Sequence, residues 1–187
     1  KIFDKGGVLK KQFLAYASTF DKGINVAVGD VDGDNKNEII VGSGNGGGPK
    51  VRIFKADGKV MGQFFAYDKN FRGGVEVTTL KKGTGGRNQA ELIVTSPGNG
   101  GGPHIRIFDH HSNLVNQFFS YDKNFRGGAS VSAGDIDNDG TDEIITGAGP
   151  GGTPHLRTFK LDNTLLSSFF AYSSDFNGGI NVGIINY

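Results

Sequence analysis

The chain contains no cysteine and no tryptophan, and only one methionine and five prolines among its 187 residues. Without cysteine it can form no disulfide and offers no zinc–thiolate spacing, a pattern that suits a bacterial surface protein as well as a cytosolic one. It also lacks an excess of charge. Twenty Lys and Arg against 19 Asp and Glu leave a formal charge of +1, so no overall field steers the chain to nucleic acid or to an anionic membrane. No apolar run approaches the roughly 18 residues that span a bilayer, and no signal-peptide pattern is present; no membrane insertion is expected. The first residue is Lys1 rather than Met, which points to a processed or excised segment of something longer.

What is present in quantity is glycine, 32 residues, together with 15 phenylalanines. The glycines follow no strict triplet, which excludes collagen, and the aromatics argue against disorder. Runs of Val, Ile and Phe between glycines read as short strands joined by tight turns, an all-β chain.

The strands repeat. "QFLAYASTFDKG" begins at Gln12, "QFFAYDKNFRGG" at Gln63, "QFFSYDKNFRGG" at Gln117 and "SFFAYSSDFNGG" at Ser168, at intervals of 51, 54 and 51 residues. Each unit holds four strand-like runs, as in "GINVAVGD", "EIIVG", "KVRIF" and "VMGQFFAY" of the first complete one. Four strands in about 50 residues is the signature of a β-propeller blade. Sandwiches seldom carry near-identical internal units, and solenoid coils are usually shorter. The expected layout is a single propeller domain: 1–22 gives the last two strands of a blade, 23–73, 74–127 and 128–178 are complete blades, and 179–187 is the first strand of a closing blade. The two ends allow a fourth blade built from both termini, or a part of a larger propeller, closed by a homo-oligomer or by a longer chain.

Between the first two strands of the first complete unit lies "GDVDGDNKNE", and the third has "GDIDNDGTDE" at the same place. Asp30, Asp32, Asp34, Lys36 and Glu38 correspond to Asp135, Asp137, Asp139, Thr141 and Glu143. Oxygens at alternate positions of a tight loop, with the backbone carbonyl of Lys36 or Thr141 at the seventh, can wrap one ion; an all-oxygen set selects a hard cation, Ca2+ above Mg2+. An EF-hand does not fit, because its position-12 glutamate would fall on Val41 and Thr146 and its flanks would be helical. The alternative is a solvated acidic turn, which the recurrence of one nine-residue spacing disfavours.

These two loops, set between strands in units of about 50 residues, resemble the FG-GAP/VCBS repeats of integrin-α-type β-propellers. The resemblance implies calcium held on one face of the propeller, about two ions per chain, in a secreted or cell-surface protein. The second complete unit departs from it: "TTLKKGTGGRNQAE" puts Lys81 and Lys82 where the carboxylates begin, with Glu91 alone expected in register, so no calcium is expected there. The closing strand ends in Asn186 and Tyr187 with no loop.

Antiparallel connectivity places the acidic loops and third–fourth turns on one face, and the glycine loops "SGNGGGPK", "SPGNGGGPH" and "AGPGGTPH" with the "YDKNFRGG" turns on the other. The glycine loops lack the Gly-Lys-Ser/Thr ending of a phosphate cradle; close packing of adjacent blades is their favoured role. Phe20, Phe71, Phe125 and Phe176 recur evenly and are expected to pack between blades. Lys50, His104 and His155 after the loops, with Arg72 and Arg126 in the turns, are candidates for holding carboxylates, sulfates or sugar hydroxyls around the central entrance. His110 and His111 read as an exposed surface pair. No nucleophile elbow, zincin motif or nucleophile–base pair is present. The expectation is a non-catalytic recognition or adhesion module, probing a protein or glycan on the face opposite the calcium loops. A carbohydrate-binding propeller is the alternative, and a polysaccharide lyase rests on fold analogy alone.

Overall fold

The computed structural model describes residues 1–83 and 89–184. Alternating apolar residues and turn glycines become 14 strands among the described residues, with no helix. A two-stranded sheet pairs β1 (Ile2–Phe3) with β2 (Leu9–Lys11). Three four-stranded antiparallel sheets follow: β3 (Ile24–Gly29), β4 (Glu38–Ser43), β5 (Lys50–Phe54) and β6 (Val60–Phe65); β7 (Val75–Leu80), β8 (Leu92–Pro97), β9 (His104–Phe108) and β10 (Leu114–Phe119); β11 (Ala129–Gly134), β12 (Glu143–Ala148), β13 (His155–Phe159) and β14 (Leu165–Phe170). Each sheet runs in chain order, the meander of a propeller blade.

The first strands lie side by side, β7 between β3 and β11. The second strands are covered on both faces, so "IIV" and "LIV" read as continuous apolar runs rather than alternating ones. Val51, Ile53 and Ile40 of the first complete blade join Val75, Val77 and Ile93 of the second in one core, and Leu80, Val94 and Ile105 join Val131, Ile144 and Phe159 in the next.

Three kinds of contact repeat at each seam. A tyrosine after the fourth strand reaches two carbonyls of the following blade: Tyr16 those of Val41 and Lys50, Tyr67 those of Thr95 and His104, Tyr121 those of Thr146 and His155. Burial pushes the Tyr67 and Tyr121 phenols up, Tyr121 to about 12, which fixes them as donors. An arginine in the third strand reaches back: Arg52 donates to the carbonyl of Ala15, Arg106 to Ala66 and Arg157 to Ser120. Phenylalanines meet at Phe13–Phe54, Phe64–Phe108 and Phe118–Phe159, with centroids 4.7 to 4.9 Å apart.

Residues 179–184 are assigned no strand, and Asn186 and Tyr187 lie outside the described residues. The segment nonetheless stands where a further first strand would: the Ile180 amide donates to the Ala148 carbonyl, and Ile180 packs on Gly147 as Val75 packs on Gly42.

Candidate metal centre

The acidic loops leave the sheet at its last rung, where Gly29 pairs with Glu38 and Gly134 with Glu143. Asp30 organises the first loop: its Oδ1 accepts the amides of Gly33 and Asp34, and its Oδ2 that of Asn35. Asp135 does the same for Asp139 and Gly140. The chain turns through positive φ at Asn35 and Asn138, of 64° and 60°, a conformation asparagine tolerates. Asp32 and Asp34 each spend Oδ1 on an amide two residues ahead, those of Asp34 and Lys36, and Asp137 and Asp139 repeat this with Asp139 and Thr141.

Glu38 and Glu143, each 1% exposed, turn inward and accept the amides of Val31 and Ile136. Ligand atoms of Asp30, Asp32 and Glu38 lie within 4.8 Å of one another, as do those of Asp135, Asp137 and Glu143. Burial pushes both glutamates above their ordinary value, and neighbouring aspartates push them further, Asp32 and Asp34 at one site and Asp137, Asp139 and Asp135 at the other. At Asp34 burial also raises, but the Lys36 amide and the charges of Lys36 and Lys55 outweigh it. Clustered carboxylates around a buried glutamate are the donor set of a hard divalent ion.

A lysine from another turn faces each acidic loop. Lys55, first residue after β5, sets its ammonium 3.3 Å from Asp32 Oδ2 and 3.8 Å from Asp34 Oδ2, and Lys160, first after β13, stands 3.4 Å from Asp139 Oδ2. Sequence reasoning missed both lysines. The signal was there: lysine follows the strand-ending phenylalanine in the two acidic units, and Asp109 follows Phe108 in the unit that carries Lys81 and Lys82.

The middle unit corrects one expectation. Glu91 is not in register: Leu80 pairs with Leu92, so Leu92 occupies the place of Glu38 and Glu143, and Glu91 stands one residue earlier. A shift of one flips the side chain to the other face, and Glu91 turns toward Thr79 and the preceding sheet. Backbone contacts tie this blade to both acidic loops: the Glu91 amide donates to the Asp30 carbonyl, the Lys81 amide to Asp142 Oδ2, and the Asp142 amide to the Lys81 carbonyl. Residues 84–88 of the inserted stretch lie outside the described residues.

The opposite face is a belt of glycine loops. The amides of Gly44, Gly98 and Gly149 donate to the carbonyls of Gly23, Gly74 and Gly128 in the preceding turns. Phe20, Phe71 and Phe125 end against Gly47, Gly101 and Gly152 of the next glycine loop, the inter-blade packing expected of them. Arg72 and Arg126 fold back on their own turns, donating to the carbonyls of Lys69 and Phe71, and of Lys123 and Phe125. Lys50, His104 and His155 stand at the starts of third strands, each across from a half-exposed phenylalanine: Phe65, Phe119 and Phe170. His104 stacks on Phe119 at 4.5 Å. Burial, then Arg106 for His104 and Arg157 for His155, push both imidazoles below their ordinary value. His110 and His111 share a surface turn, rings 3.9 Å apart.

Four-stranded antiparallel meanders, two of them with an acidic loop between first and second strands, define a β-propeller-type repeat protein. Two of the units match the FG-GAP repeat family, at residues 23–60 and 127–158, the two with the complete acidic spacing. A comparison with curated proteins returns no match. FG-GAP repeats are typically non-enzymatic modules and occur in extracellular or surface proteins. Among the described residues no helix is long and apolar enough to cross a membrane.

Proposed function

We propose that the chain is a calcium-stabilised, non-catalytic recognition module of a secreted or cell-surface protein, with about two Ca2+ per chain. The observation that carries this is the twofold recurrence of one cluster: ligand atoms of Asp30, Asp32 and Glu38 lie within 4.8 Å of one another, matched by those of Asp135, Asp137 and Glu143, with Asp34 and Asp139 at the same place in each loop. The Lys36 and Thr141 carbonyls complete the donor set. Bound calcium would supply the positive charge that reconciles these carboxylates and tie the first two strands of each blade together. Calorimetric titration of calcium into chelator-stripped protein tests the reading. Two ions per chain support it; no binding makes both loops solvated turns.

The partner, a protein or a glycan, is assigned to the face opposite the calcium loops. The glycan reading is favoured there by one observation, the three half-exposed phenylalanines in one register, each against Lys50, His104 or His155. Inhibition of binding by a free sugar separates it from protein adhesion.

A further inference from the structure

Lys55 and Lys160 meet the carboxylate oxygens that the loop amides leave free. Asp32 and Asp34 give Oδ1 to backbone amides and present Oδ2 to Lys55; Asp139 gives Oδ1 to Thr141 and presents Oδ2 to Lys160. These are the oxygens an entering cation would need. The lysine side chains do nothing for their own turns. Backbone pairs close those turns, Lys55 with Lys59 and Gly58, and Lys160 with Thr164 and Asn163, and the same pairs close the turn that begins with Asp109. Asp109 instead spends its carboxylate on the Asn113 amide and side chain. Charge therefore reverses at both places together: acidic loop with lysine in the first and third complete blades, Lys81 and Lys82 with Asp109 in the second. Lys36 also approaches Asp34, at 3.5 Å, but its side chain is 80% exposed and the third blade has Thr141 there.

We propose that Lys55 and Lys160 are tethered counter-ions that hold the acidic loops in their ion-free form and set the calcium concentration at which each loop fills. The proposal rests on the calcium reading above. An ammonium on Asp32 and Asp34 offsets their repulsion while no ion is bound, and a divalent ion must displace it or bind against its charge. Each site is thereby weakened relative to its own carboxylates, and the ion-free fold is kept from opening.

The test is a calorimetric calcium titration of chelator-stripped wild type, Lys55→Met, Lys160→Met and Lys55→Arg, with melting curves in chelator. Methionine keeps the apolar stem and removes the charge. Each methionine variant is expected to tighten one of two sites roughly two- to fivefold, the range of a partly exposed ion pair, with the gain fading at high salt. In chelator it melts below wild type, while the arginine variant keeps wild-type affinity. If wild type binds two ions and both methionine variants bind no more tightly, the lysines are not counter-ions and the calcium sites stand. If no protein in the set binds calcium, both readings fall. Binding by a methionine variant alone would support the proposal in its strongest form.

Discussion

At the residue scale, one position in the first strand carries a donor in two blades and a carboxyl in the third. The Asn25 side chain donates to the Val75 carbonyl and the Ser130 hydroxyl to the Ile180 carbonyl. Glu76 holds the equivalent place, and the equivalent carbonyl is that of Ala129, which lines the same cavity. Only a protonated carboxyl can donate there, and burial raises the Glu76 pKa. Because the folded value lies above the unfolded one, the stability linked to Glu76 is complete at low pH and is lost as pH rises from about 4.5 through the raised value. Glu76→Gln supplies a permanent donor. It is expected to add about 1 kcal/mol at pH 7 and to flatten the stability profile above pH 4.5, read by denaturant unfolding across pH; an unchanged slope sinks the assignment. The clustering of the loop carboxylates was legible from spacing alone, since a tight turn points alternate side chains inward. Glu91 was misread because its unit is longer and only strand pairing reveals which residue takes the final rung. Lys55 and Lys160 lie more than 20 residues from the aspartates they meet, and a local motif does not reach that far.

At the element scale, the glycine loops and the aromatic-rich fourth strands are one device. A Cβ on Gly98 would overlap the carbonyl oxygen of Gly73, and one on Gly149 that of Gly127. Backbone cannot yield as a flexible side chain can, so Gly98→Ala is expected to cost about 2 kcal/mol or more. Gly151 has open space around its missing Cβ and a φ of +84°. Alanine there meets backbone strain alone, about 1 kcal/mol. Equal melting temperatures for the two variants would show that the loops do not support each other. Tyr121→Phe tests the seam from its other side. It removes the donor that serves Thr146 and His155 and leaves two part-buried carbonyls short, for roughly 1–2 kcal/mol; a variant as stable as wild type would reduce the tyrosines to packing. Strand order and the four-strand unit were readable from the repeat, because propeller blades use contiguous chain. The seam was not, since Arg52, Arg106 and Arg157 sit inside apolar strands where period 2 reads them only as outward-facing, and their carbonyl partners lie 37 to 40 residues away.

At the scale of the molecule, both acidic loops are fastened to the blade between them, through Glu91 on Asp30 and Lys81 on Asp142. An ion in either loop therefore braces the strands of its own blade and the neighbour attached to it. In a repeat array each blade gains stability chiefly from adjacent ones, so calcium is expected to raise one shared unfolding transition rather than split it. An ion at about ten times its dissociation constant adds roughly 1.4 kcal/mol per site, which for a chain of this size is about 3–6 °C in melting temperature. Asp137→Ala removes one site and should about halve the calcium-induced rise while leaving the other loop to fill. Differential scanning calorimetry in calcium and in chelator decides it: coincident curves for the wild type would mean that the carboxylates carry no ion, and two separated transitions in calcium would mean that the middle blade does not join the loops.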